Sequence, residues 1–170
     1  MRVLFLPGIF SKTEAWAAKV LAASGGADWQ SRVQRYSHWG GGNEENMDVA
    51  AERERLRGEE VDLLFGKSMG SLLALMAVAE QLISPAHLII LGVPTNISRE
   101  RGIDVAALAG KITIPTLCIQ QTDDKTGSCA ELRRLVGGNP QFTIHEIAGD
   151  DHQYKDIPQL ARIIKKWLSA

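Results

Sequence analysis

Apolar residues in this chain follow two rhythms. Short runs rich in β-branched and large aliphatic residues recur at 3–6, 33–36, 61–65, 88–91, 116–120 and 142–147. Between them lie segments of helical spacing at 14–23, 45–56, 71–82, 105–109, 129–136 and 157–168. The last is the clearest, with Ile157, Leu160, Ile163, Ile164, Trp167 and Leu168 forming an i, i+3, i+4 stripe down one helix face. Runs such as Leu88-Ile89-Ile90-Leu91 are apolar at every position, as expected of strands covered on both faces. Strands separated by helices imply parallel pairing through crossovers. The pattern therefore predicts a doubly wound α/β fold, one six-stranded parallel sheet flanked by helices, in a single domain over residues 1–170.

In such sheets ligands bind beyond the carboxyl ends of the strands. The positions to inspect are those just after each run. They are Pro7-Gly8-Ile9-Phe10, Ser37-His38-Trp39-Gly40-Gly41-Gly42, Gly66-Lys67-Ser68-Met69-Gly70, Gly92-Val93-Pro94, Thr122-Asp123-Asp124 and Gly149-Asp150-Asp151-His152.

Composition narrows the field. A net charge of −1, with 45% hydrophobic and 23% charged residues, is that of an ordinary globular domain. No block of like charge recommends a nucleic-acid or membrane-surface partner, so the expected partner is a small-molecule substrate. The opening apolar run stops at Pro7-Gly8, too soon for a signal peptide, and no apolar stretch approaches about 18 residues. These features lead to the expectation of a cytoplasmic protein. Cys118 and Cys129 show no disulfide or zinc spacing, and Cys118 reads as a small buried hydrophobe. No metal or cofactor is expected.

Gly66-Lys67-Ser68-Met69-Gly70 fits G-x-S-x-G and falls between an apolar strand and an apolar helix. There a tight turn would lift the Ser68 hydroxyl above the sheet, and flanking glycines would remove side chains that clash. The following helix would aim its first amides at the same point. A phosphate-binding loop also ends in Gly-Lys-Ser, but it needs a glycine where this chain has Val61. Ser68 could instead merely cap the helix, though a cap does not account for glycines on both sides.

A serine needs a base, and the base needs an orienting group. Of the four histidines, His87 begins a strand and His145 lies inside one. His38 and His152 follow strands, and His152, in a turn before the last helix, is the better base. His38 reads as a loop or substrate-lining residue. Asp123 and Asp124 follow the penultimate strand, and spacing alone does not choose between them. Asp150 and Asp151 lie too close to His152 along the chain and read as turn-forming.

With these residues in place the chain resembles the α/β-hydrolase superfamily, and in particular its small members without a lid, over nearly its whole length. The chain order Ser68, Asp, His152 is the order that family uses. Its acid loop, usually G-x-x-D, matches Gln121-Thr122-Asp123-Asp124 with glutamine for glycine, which points to Asp124 and leaves Asp123 as the alternative. The resemblance also implies a strand order of 2-1-3-4-5-6 and an oxyanion hole from the backbone amides of Ile9, with Phe10 possible, and Met69. Phe10, His38 and Trp39 would line the substrate site. The polar segment after residue 95 implies no extended apolar cap, hence an open site. The activity implied is hydrolysis of a small or accessible carboxylic ester, or a thioester, through an acyl-enzyme. The alternative is a binding protein that keeps the fold without catalysis.

Overall fold

The computed structural model describes residues 1–170. In chain order the elements are β1 (Arg2–Leu6), α1 (Thr13–Ser24), β2 (Gln30–Val33), α2 (Val49–Glu54), β3 (Leu63–Lys67), α3 (Met69–Ala79) and β4 (His87–Leu91). They continue with α4 (Thr95–Glu100), α5 (Val105–Ala109), β5 (Thr116–Gln121), α6 (Cys129–Val136), β6 (Phe142–Ile147) and α7 (Ile157–Leu168). The six strands form one sheet in the order β2-β1-β3-β4-β5-β6, and every pair is parallel.

Alternation along the strands divides the core between the two faces. Leu4, Leu6, Leu64, Leu88, Ile90 and Cys118 point to one face, where α3, α5 and α6 supply Leu72, Leu75, Val105, Leu132 and Val136. Val3, Phe5, Leu63, Phe65, Ile89 and Leu117 point to the other, against Val20 and Leu21 of α1 and Leu160 and Ile164 of α7. Phe5 and Phe65 stack at 5.2 Å between centroids on this second face. Helix starts are marked by side chains that accept first-turn amides: Asp48 from Ala51, Asp104 from Ala107, Ser128 from Glu131 and Asp156 from Gln159.

Two expectations are corrected. The second strand covers Gln30–Val33 rather than 33–36. It is an edge strand with polar, exposed residues, and the apolar signal at Val33 and Tyr36 belongs partly to the loop beyond it, where Tyr36 is buried. The helix expected over 45–56 is confined to Val49–Glu54. After β4, α4 and α5 are short, and Val105, Ala109 and Ile112 sink into the core instead of building a cap. No helix is long and apolar enough to cross a membrane.

Candidate active site

Ser68 sits at the junction of β3 and α3 with φ 55° and ψ −122°. A positive φ is uncommon for a residue with a Cβ, and such strain costs on the order of 1–3 kcal/mol, so its surroundings must hold it. The flanking glycines make the turn possible. A Cβ on Gly70 would lie 1.9 Å from the carbonyl oxygen of Leu6, and one on Gly66 would lie 2.5 Å from the carbonyl oxygen of Gly70. Ser68 makes no side-chain capping bond to α3. Its Oγ lies instead 2.9 Å from Nε2 of His152.

The opposite nitrogen of that imidazole, Nδ1, lies 2.8 Å from Oδ2 and 2.9 Å from Oδ1 of Asp124. In the tautomer this arrangement favours, Nδ1–H donates to the carboxylate and Nε2 accepts the serine proton. Asp124 is buried, whereas Asp123 is exposed. The structure thus brings Ser68, His152 and Asp124 together and leaves Asp123 outside. His87 packs edge-on against Trp167, and His145 lies exposed on β6, both away from this chain of hydrogen bonds.

Three partners of these groups carry no sequence motif. Tyr154, buried, donates its hydroxyl proton to Asp124 Oδ2 at 2.8 Å and accepts from the amide of Gln121 at 3.0 Å. Thr126 donates its amide, at 2.9 Å, and its hydroxyl, at 2.8 Å, to Asp124 Oδ1. Gln121, at the position the family pattern gives to glycine, accepts the amide of His152 at 2.8 Å and donates to Asp151 at 3.1 Å. Its amide group also lies where a Cβ on Gly149 would stand. The glutamine side chain therefore ties the end of β5 to the turn that carries His152.

Burial opposes ionisation of Asp124, but hydrogen bonds from His152 and Thr126 outweigh it and hold the carboxyl below its ordinary range. Burial, reinforced by the charge of Asp124, pushes the Tyr154 phenol well up, so it remains a donor. Asp151 closes the turn, accepting from the Gln153 amide and from Lys155. The Gln153 and Gln121 hydrogen bonds lower it to about 2.

On the other side of Ser68 runs the loop after β1. A Cβ on Gly8 would stand 3.6 Å from the Cβ of Ser68, so the peptide joining Gly8 to Ile9 borders the Ser68 turn. The amide of Ile9 donates to no protein group. The amide of Met69 heads α3, where first-turn amides have no intrahelical acceptor. The loop is pinned through its carbonyl oxygens. Pro7 accepts from the Tyr36 hydroxyl at 2.8 Å, and Gly8 from Thr13 Oγ1 at 3.1 Å. Ile9 accepts from Trp39 Nε1 at 2.7 Å and pairs with His38 Nε2 at 2.8 Å. Trp39 Nε1 and His38 Nε2 are thus spent on this loop, while Nδ1 of His38 is buried without a partner. Phe10 is half-buried beneath Lys12, whose Nζ lies 5.3 Å from the ring centre.

Five surface clefts of about 230 to 480 Å³ are lined by neither Ser68 nor His152, and one of them borders Gln121, Asp151 and Tyr154. No group of three or more His, Cys, Asp or Glu side chains is arranged to hold a metal ion. Both cysteines are buried and free.

Fold and site together define an α/β-hydrolase. The chain matches the alpha/beta hydrolase domain family over residues 44–164, well over half its length, and belongs to that family. Among solved structures it is similar to a protein of the alpha/beta hydrolase superfamily from Xanthomonas campestris pv. campestris. The TM-score is 0.74 at 12% identity, with 99% of this chain and 98% of the other covered. Alpha/beta hydrolase domain-containing protein 10 from mouse follows at TM-score 0.72 and 16% identity, covering 99% and 89%. A thioesterase domain from the curacin biosynthetic pathway gives 0.68 and 16%, covering 96% and 90%. At such identities the likeness concerns the fold. No curated protein sequence matches the chain.

Proposed function

We propose that this protein is a serine hydrolase that cleaves a small or accessible carboxylic ester through an acyl-enzyme on Ser68. The observation that carries the reading is the continuous chain of hydrogen bonds from Ser68 Oγ through His152 to Asp124. His152 takes the proton of Ser68 as Oγ attacks the carbonyl carbon. Asp124 holds the imidazole in the required tautomer and stabilises the imidazolium that forms. The amides of Ile9 and Met69 receive the developing oxyanion, and one such donor is typically worth about 3 kcal/mol in the transition state. The tetrahedral species then expels the alcohol, which takes its proton from His152, leaving the acyl group on Ser68. Water, deprotonated by the same histidine, repeats the addition, releases the carboxylic acid and returns the proton to Ser68.

Thioesters would be served by the same groups, and one similar fold is a thioesterase domain. The preference for small or accessible esters is supported by the short segment between β4 and β5, which buries its apolar residues in the core. A panel of nitrophenyl esters of rising acyl length tests this reading. The expected result is a pre-steady-state burst, loss of turnover in Ser68→Ala, and kcat/KM falling as the acyl chain lengthens. Turnover by Ser68→Ala equal to that of the native protein would refute it.

A further inference from the structure

Lys67 lies one position before Ser68, its side chain is buried at 7% exposure, and no step of acyl transfer uses it. Its Nζ donates to the backbone carbonyl of His152 at 3.0 Å. It also lies 5.8 Å from the ring centre of Trp16 and 5.9 Å from that of Tyr154. Burial lowers the pKa of this ammonium to about 8. Asp124 and Asp151 partly offset that effect, while Lys12 and Lys125 add to it. An apolar side chain of the same length would avoid the desolvation, so the charge calls for a reason.

What it touches supplies one. His152 has φ 62° and Tyr154 has φ 54°, two left-handed residues with side chains inside three positions. Such backbone persists only where its surroundings over-determine it. The amide of His152 is held by Gln121 at 2.8 Å, and the carbonyl of Tyr154 by Trp16 Nε1 at 3.1 Å. The tie to the carbonyl of His152 comes from Lys67, in the nucleophile's own turn. A single residue therefore joins the backbone that carries Ser68 to the backbone that carries its partner.

We propose that Lys67 is a positioning residue that locks the His152 loop to the nucleophile turn, fixing the imidazole against the Ser68 hydroxyl. The inference rests on reading Ser68 and His152 as nucleophile and base. The test is Lys67→Met, which keeps an apolar stem between the two rings and removes the ammonium. On a nitrophenyl ester kcat falls at least tenfold while KM stays within twofold. The melting temperature is unchanged or higher, because a buried charge has been removed. Hydrogen exchange of the amides in residues 150–155 quickens at least fivefold, and that of β3 and β4 does not change.

Native exchange in residues 150–155, or quickened exchange with native kcat, overturns the proposal. The exchange measurement does not depend on activity. If the native protein turns over no ester, the reading of Ser68 as nucleophile fails, and exchange still decides whether Lys67 holds the loop.

Discussion

Asp124 receives hydrogen bonds from His152, from the amide and hydroxyl of Thr126 and from the hydroxyl of Tyr154. Tyr154→Phe would remove one of these donors and leave the buried amide of Gln121 without its acceptor. The cost of such an orphaned buried group is about 1–3 kcal/mol, readable in urea denaturation. A loss below about 0.5 kcal/mol would contradict the role given to the phenol. Two acidic groups and one basic group also set a pH dependence. Asp124 is held below its ordinary value and Asp151 at about 2, so each binds its proton less readily folded than unfolded. Their stabilising contribution is fully present above the ordinary carboxylate range, about pH 4, and is lost as the pH falls toward 2. Asp124→Asn should therefore show a flatter fall in stability over that interval than the native chain. Lys67 acts at the other end. Its folded pKa of about 8 lies below the ordinary 10.5, so the unfolded chain binds more protons between those values. Its contribution to stability rises with pH across that window, and Lys67→Met should lack the rise when denaturation is compared at pH 7.5 and 10. At this scale Ser68, His152 and the pair Asp123 and Asp124 were legible because they lie in the segments that follow strands, and the choice of Asp124 came from family resemblance. Gln121, Thr126, Tyr154 and Lys67 were not legible, because a supporting role depends on a fold-dependent distance that no local pattern records.

The unit β3–turn–α3 is the element on which the site depends. Gly70 lets α3 start against β1, and a Cβ there would stand 1.9 Å from the Leu6 carbonyl oxygen. Gly70→Ala should therefore destabilise by about 3 kcal/mol or more, beyond ordinary overpacking, because the obstacle is backbone. Gly138→Ala, whose added Cβ meets nothing within 4 Å, should change stability by no more than about 0.5 kcal/mol. Equal effects from the two substitutions in thermal melts would contradict the close approach. The apolar pattern located the strands buried on both faces, most cleanly β4, whose run from Leu88 to Leu91 is apolar at every position, while β3 covers Leu63–Lys67 rather than 61–65. The pattern slipped at β2, an edge strand with one neighbour and a polar surface. It missed α4, whose sequence Thr-Asn-Ile-Ser-Arg-Glu shows no apolar stripe.

Across the whole molecule, parallel pairing turns every strand end toward the same edge of the sheet. The loops after β1, β3, β5 and β6 therefore converge, although Ile9 and His152 lie far apart in sequence. The convergence was legible from the alternation of strands and helices alone, while the order of the strands came from family resemblance and agrees with the structure. The identity of the ester was not legible, since fold and hydrogen-bonded triad are shared by many chemistries. A fluorophosphonate probe, with mass spectrometry of the labelled peptide, tests whether Ser68 is an activated nucleophile. The native protein should carry one adduct on Ser68, Ser68→Ala none, and His152→Ala should label at least a hundredfold more slowly. An unlabelled native protein, or equal labelling of Ser68→Ala, would show that Ser68 is not the nucleophile.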